Sequence, residues 1–195
     1  MYLTLSFKFH TREEVERFLN LLEKHVKTPY LVNTRLTHVY IQLEGHVKEL
    51  KDVVAVVRSL AGLARGARGS VQIPLLVLFR DVELVRPVSP DAVADALTAA
   101  GRPSAVRGDV LTTVASYEEV LTAAERLSRL YEEAEELPLT PQAKKMAVIY
   151  AFAKDLSVEE AVEELVGEGI LNRGGVISLR YRPEEARRLL LSKFK

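Results

Sequence analysis

The chain has 195 residues, 27 basic and 27 acidic side chains, and no cysteine. The missing cysteine excludes disulfide staples, thiolate metal sites and cysteine nucleophiles, and the zero formal charge excludes a polycation that coats nucleic acid by bulk attraction. No stretch approaches the roughly 18 apolar residues of a membrane-crossing helix, and MYLTLSFKFH alternates instead of reading as a leader, so a soluble, cytoplasmic protein is expected.

Tyr2 to Phe9 alternates and predicts a strand with Leu3, Leu5, Phe7 and Phe9 on its core face. Thr11 and Glu14 form the signature of a capping box, and Val15, Phe18, Leu19 and Leu22 make the apolar stripe of the helix it opens. After Pro29 comes a predicted hairpin, Tyr30 to Leu36 and Thr37 to Leu43, then a helix from His46 to Leu63. The order then repeats: a strand at VQIPLLVLF (71–79), a helix from Ser89 and Pro90 to Gly101, a hairpin in SAVRGDVLTTVA, and a long helix capped by Ser116 and Glu119. The spacing therefore predicts duplicated β-α-β-β-α halves, 1–70 and 71–137, that join in one antiparallel sheet of about six strands with helices on one face. Because 73–79 is apolar on both faces, something is expected to cover both, either the C-terminal unit or a second copy of the chain. Pro138 and Pro141 punctuate the boundary to a third unit, 138–195. Its helix, helix and hairpin, the last turned by Gly174 and Gly175, have the order of a winged helix. The fold class is thus α+β.

Charge is uneven along this plan. Residues 1–69 carry 11 basic and 7 acidic side chains, residues 70–137 carry 6 and 12, and residues 138–195 carry 10 and 8. Phosphate would be drawn to the first half and repelled by the second. Asn and Gln together number 6 and Trp is absent, so few heat-labile side chains accompany many charges, the composition of a thermophile.

The chain carries no P-loop, dinucleotide fingerprint, HExxH or G-x-S-x-G. The four histidines, His10, His25, His38 and His46, lack metal-ligand spacing. No enzyme, cofactor or metal is expected. The sheet face away from the helices, however, would carry Tyr2, Lys8, Arg35, His38, Tyr40 and Gln42, a polar, basic and partly aromatic surface on which bases can stack. The α-helical Arg58 and the RGARGS stretch with Arg65 and Arg68 would add phosphate contacts; equally, these arginines can simply neutralise a helix C-terminus. The outward carboxylates of VEEAVEELVGEG, Glu159, Glu160, Glu163, Glu164 and Glu168, argue against groove reading of duplex DNA by that helix. The expected function is non-enzymatic binding of RNA or single-stranded nucleic acid. The alternatives are a protein-interaction or assembly module, as a homodimer or with another protein, and a small-ligand-binding regulatory domain with a pocket between the halves.

The combination LTHVYIQLEGHVKELKDVVAVVRSL, AVRGDVLTT and VEEAVEELVGEGIL resembles an archaeal family of about this length, the domain of unknown function DUF2067. The resemblance implies an archaeal origin and no established activity, so it assigns no residue a role. The strand-helix-strand-strand order is also similar to modules that bind small effectors in bacterial regulators, a likeness of fold alone.

Overall fold

The computed structural model describes residues 1–66 and 69–195. The first half runs β1 (Tyr2–Lys8), α1 (Arg12–His25), β2 (Tyr30–Arg35), β3 (His38–Glu44) and α2 (Val47–Arg65). The strands form an antiparallel sheet of order β1-β3-β2, with Leu5 opposite Ile41 and Val32 opposite Ile41 on the other side. Period-two alternation sends Val39, Ile41 and Leu43, all fully buried, toward the two helices, whose stripes bury Val15, Phe18, Leu22, Val57 and Leu60. Phe18 is the hub, its ring 5.2 Å from Phe7 and 5.0 Å from Phe9 between centroids. Truncating it to Ala would cost about 3–5 kcal/mol. Thr11 caps α1 by accepting from Glu14 N–H, while the Glu14 carboxylate reaches past the cap to His10 N–H at 2.8 Å.

The second half runs β4 (Val71–Pro74), α3 (Leu75–Asp81), α4 (Pro90–Ala99), β5 (Ser104–Arg107), β6 (Val110–Thr113) and α5 (Tyr117–Ala134). Its sheet has order β4-β6-β5, so both halves place the second hairpin strand in the middle. Two expectations change here. The strand predicted over 71–79 stops at Pro74, and Leu75 to Asp81 form a helix instead. The paired strand β6 offers only Val110–Thr113, the Leu75 N–H donates to the Asp109 carbonyl at 2.8 Å, and Pro74 has the extended backbone of a helix cap. Beyond that point a leucine-rich run has no ladder partner and coils, burying Val77 and Leu78 and exposing Leu76. No doubly covered strand exists there among the described residues. The second change is that the sheets do not join: each is three-stranded, and among the described residues no ladder links them.

The C-terminal segment runs α6 (Pro141–Lys154), α7 (Val158–Gly167), β7 (Leu171–Asn172), β8 (Ser178–Leu179) and α8 (Pro183–Ser192). Seven consecutive-turn positions of α6, including Met146 to Ala151, are buried, because α4, α5, α7 and α8 all pack on it. Its N-terminal approach is stitched to the β8 side, with Ile177 N–H donating to Pro138 C=O at 2.7 Å and Thr140 N–H to Ile177 C=O at 3.0 Å. Arg187 of α8 grips Asp95 of α4 through Nε and Nη2 at 2.7–3.0 Å. No helix among the described residues is long and apolar enough to cross a membrane.

Candidate nucleic-acid interface

Cross-strand register decides which side chains share the face of the first sheet that the helices leave open. Lys8, His38 and Arg35 lie in one row, Ser6, Tyr40 and Asn33 in the next, Thr4, Gln42 and Leu31 in the third, and Tyr2 and Glu44 in the last. Tyr2 is 61% and Tyr40 is 41% exposed, which leaves both rings available to a planar partner. The His38 and Tyr40 rings lie 6.4 Å apart with planes only 15° from parallel, two steps along one strand. A base can therefore lie on either ring in nearly the same orientation. The cations cluster at the Lys8–His38–Arg35 end. The opposite end is anionic, where Glu44 accepts from Tyr2 O–H at 3.3 Å.

Six of the residues predicted to form the site, Tyr2, Lys8, Arg35, His38, Tyr40 and Gln42, thus share one face. The arginines do not. Arg58 and Arg65 lie seven residues apart on α2, in the helical layer, and border a cleft of about 740 Å³ with His10, Thr11, Ser59 and Gln72. Arg65 donates to the backbone of Lys8 and lies over the Phe9 ring, so it fastens the end of β1 to α2 instead of standing ready for phosphate. Arg68 lies outside the described residues.

A second cluster had no signal in the sequence. Asp81 at the end of α3 accepts from Tyr117 O–H, its Oδ2 lies 3.1 Å from His25 Nε2, and Lys24 Nζ lies 2.7 Å from its Oδ1 as an ion pair. The carboxylate is 4% exposed and the His25 ring 1%. Burial pushes the Asp81 pKa up, but the Lys24, Tyr117 and His25 contacts outweigh it and hold the acid below its ordinary value. Burial and the adjacent carboxylate together push the Tyr117 phenol well up, so it is a fixed donor and not a base. The group borders a cleft of about 340 Å³ between α1, the end of α2 and the start of α5, rimmed by Arg17 and Asn20. His25 Nδ1 has no hydrogen-bond partner among the described residues, and Asp81 Oδ1 has the Lys24 ion pair alone, while His25 and Tyr117 meet at Oδ2, so the cluster ties the two halves together. Among the described residues no three His, Asp or Glu side chains are grouped to hold a metal ion.

The arrangement is that of a small α+β protein whose first sheet has an open, polar face. A family model described as an uncharacterised protein conserved in archaea, DUF2067, matches residues 7–188, and the chain belongs to that family. Neither a curated protein nor a solved structure matches it.

Proposed function

We propose that the open face of the β1-β3-β2 sheet binds single-stranded nucleic acid, RNA in preference to duplex DNA, and catalyses nothing. The observation that carries this reading is the near-parallel, accessible His38 and Tyr40 pair with Lys8 and Arg35 in the adjoining row. Stacking supplies attraction that any base can satisfy, and two cations beside it supply phosphate contacts at one end. Duplex DNA would need an element shaped for a groove. In a winged-helix-like reading of the C-terminal unit that element would be α7, but it presents Glu159, Glu160, Glu163 and Glu164, and the last two are already engaged by Arg173 and by Tyr150 with Lys154. That acidic face disfavours phosphate.

The test is fluorescence anisotropy with mixed pools of single-stranded RNA and DNA across a salt series. Tyr40→Ala should weaken binding roughly 5- to 150-fold, the equivalent of about 1–3 kcal/mol per stacked base, and leave the slope of log affinity on log salt unchanged. Lys8→Ala and Arg35→Ala should each flatten that slope by about 0.7. Absence of saturable binding by folded protein at low salt sinks the proposal and returns the face to a solvated sheet or a protein-contact surface.

A further inference from the structure

The two sheets share a strand order but not the treatment of their outer edge. Glu44 N–H donates to the Pro29 carbonyl at 3.1 Å, so residues 31, 33 and 35 turn their N–H and C=O toward β3 as Pro29 does its C=O. Tyr30, Val32 and Thr34 therefore turn theirs outward. Phe9 N–H to Thr37 C=O at 2.9 Å and Gly45 N–H to Met1 C=O at 3.2 Å set the complementary parity on the other side of β3, which confirms the assignment. In the second half Val114 N–H donates to Pro103 C=O at 3.2 Å, and by the same rule Ser104 and Val106 face outward. There the edge is covered at Ser104: Thr98 Oγ1 of α4, which donates to Ala94 C=O at 2.8 Å, accepts from Ser104 N–H at 3.1 Å. On β1 the outward Lys8 carbonyl is taken by Arg65. The outward groups of β2 have no partner among the described residues.

An edge of this kind usually carries proline, a bulge or inward charge to prevent pairing. β2 reads YLVNTR, regular over six residues, with its one charge at the end. Leu31 is 71% exposed, and Val32, on the side facing the helical layer, is 36% exposed because no helix reaches beneath it. We propose that β2 pairs antiparallel with β2 of a second copy of this chain about a two-fold axis at Val32. In that register Val32 meets Val32 and Tyr30 meets Thr34, so all the outward groups face one another and exchange about six hydrogen bonds. Moving the axis to Asn33 retains only Val32 with Thr34. The register at Val32 also sets exposed Arg35 across Pro29 of the second copy, one strand from that copy's Glu44, and symmetry repeats the opposite-charge pair at the other end. Arg35 has no ion-pair partner within its own chain among the described residues, and Glu44 holds only the Tyr2 hydroxyl. The product is a six-stranded sheet, β1-β3-β2 continued by β2-β3-β1. It rests on no part of the nucleic-acid reading, although it would double the width of the open face.

Sedimentation equilibrium of the full chain, from roughly 1 to 100 µM, with amide hydrogen exchange, tests this. The expected mass is 43.6 kDa, twice 21.8 kDa, with the amides of Tyr30, Val32 and Thr34 protected as concentration rises. Val32→Pro removes an outward N–H without touching the internal ladder, and Val32→Lys sets two like charges on the axis. Each should weaken association roughly 100-fold or more while circular dichroism stays unchanged. Should the proline variant unfold, the lysine variant decides alone. A mass of 21.8 kDa throughout overturns the proposal, as does a dimer that neither variant weakens or one in which those three amides exchange freely.

Discussion

Arg65 donates from Nε and Nη2 to the Lys8 carbonyl at 3.3 and 3.1 Å, and its guanidinium carbon lies 5.1 Å from the centre of the Phe9 ring. The contact links the last residue of α2 to the last of β1, and it separates two cations that stand close together in space. The Lys8 ammonium belongs to the open face; Arg65 serves the fold. Arg65→Ala should therefore lower stability by about 1 kcal/mol, through the lost hydrogen bonds and cation–π contact, and leave the salt slope of nucleic-acid binding where it was. Chemical denaturation read beside a salt titration checks both halves of the statement. A flattened slope with unchanged stability would make Arg65 a phosphate ligand.

At the tip of the β2–β3 hairpin Leu36 has a φ of 55° and is 90% exposed. A leucine in the left-handed region bears a steric cost of roughly 1–2 kcal/mol, and here its side chain buries almost nothing to offset it. Leu36→Gly should stabilise the protein by about 0.5–1 kcal/mol, the remainder being lost to the freedom of glycine in the unfolded chain. A thermal melt that falls instead of rising would mean that the leucine is covered in solution.

Much of this architecture is written in local pattern. The alternation of β1 and β3, the caps at Thr11, Ser116 and Ser157, and the first-turn prolines Pro90 and Pro141 act within four residues, and the helices begin where those signals stand. The open face with Tyr40 follows from the same period of two. What stayed hidden depends on distant partners. IPLLVLF is too short and too uniformly apolar to declare strand or helix, and its fate is set by the four-residue length of β6, more than thirty residues downstream. The commitment of Arg65 spans 57 residues, and Asp81 meets His25 and Tyr117 across 56 and 36. No local pattern encodes such contacts.

Asp95 is 3% exposed, and its carboxylate is held bidentately by Arg187, with Lys145 Nζ 4.0 Å away. Removing the guanidinium leaves a buried carboxylate with one distant cation. Because the Arg187 side chain is itself about half exposed, Arg187→Ala should cost about 2 kcal/mol, less than the loss of a wholly buried pair. The double variant Asp95→Leu with Arg187→Leu should recover most of that loss, since neither charge then remains to be desolvated. Urea unfolding of the natural chain and the two variants tests the pair, and a double variant no more stable than Arg187→Ala would show that packing, not charge, holds α8 to α4.

The Asp81 cluster predicts a pH dependence with a definite sign. Burial, the largest influence, raises the Asp81 pKa, but Lys24 at 2.7 Å, the Tyr117 hydroxyl and His25 at 3.1 Å together bring the folded value below the ordinary 3.8. In acid the unfolded chain therefore binds the proton first, and the stability contributed by the carboxylate is full above its ordinary value and drains away as pH falls through the lower, folded one. Asp81→Asn keeps an oxygen for Tyr117 while removing the charge that Lys24 and His25 face. At pH 7 it should be less stable than the natural chain by about 2 kcal/mol, and the gap should close as pH falls from roughly 5 through the lower, folded pKa. Urea midpoints for both proteins across that range read the difference directly. A gap that stays constant into acid would show that the Asp81 charge contributes nothing to the tie between the halves, and one that widens would reverse the sign of its shift.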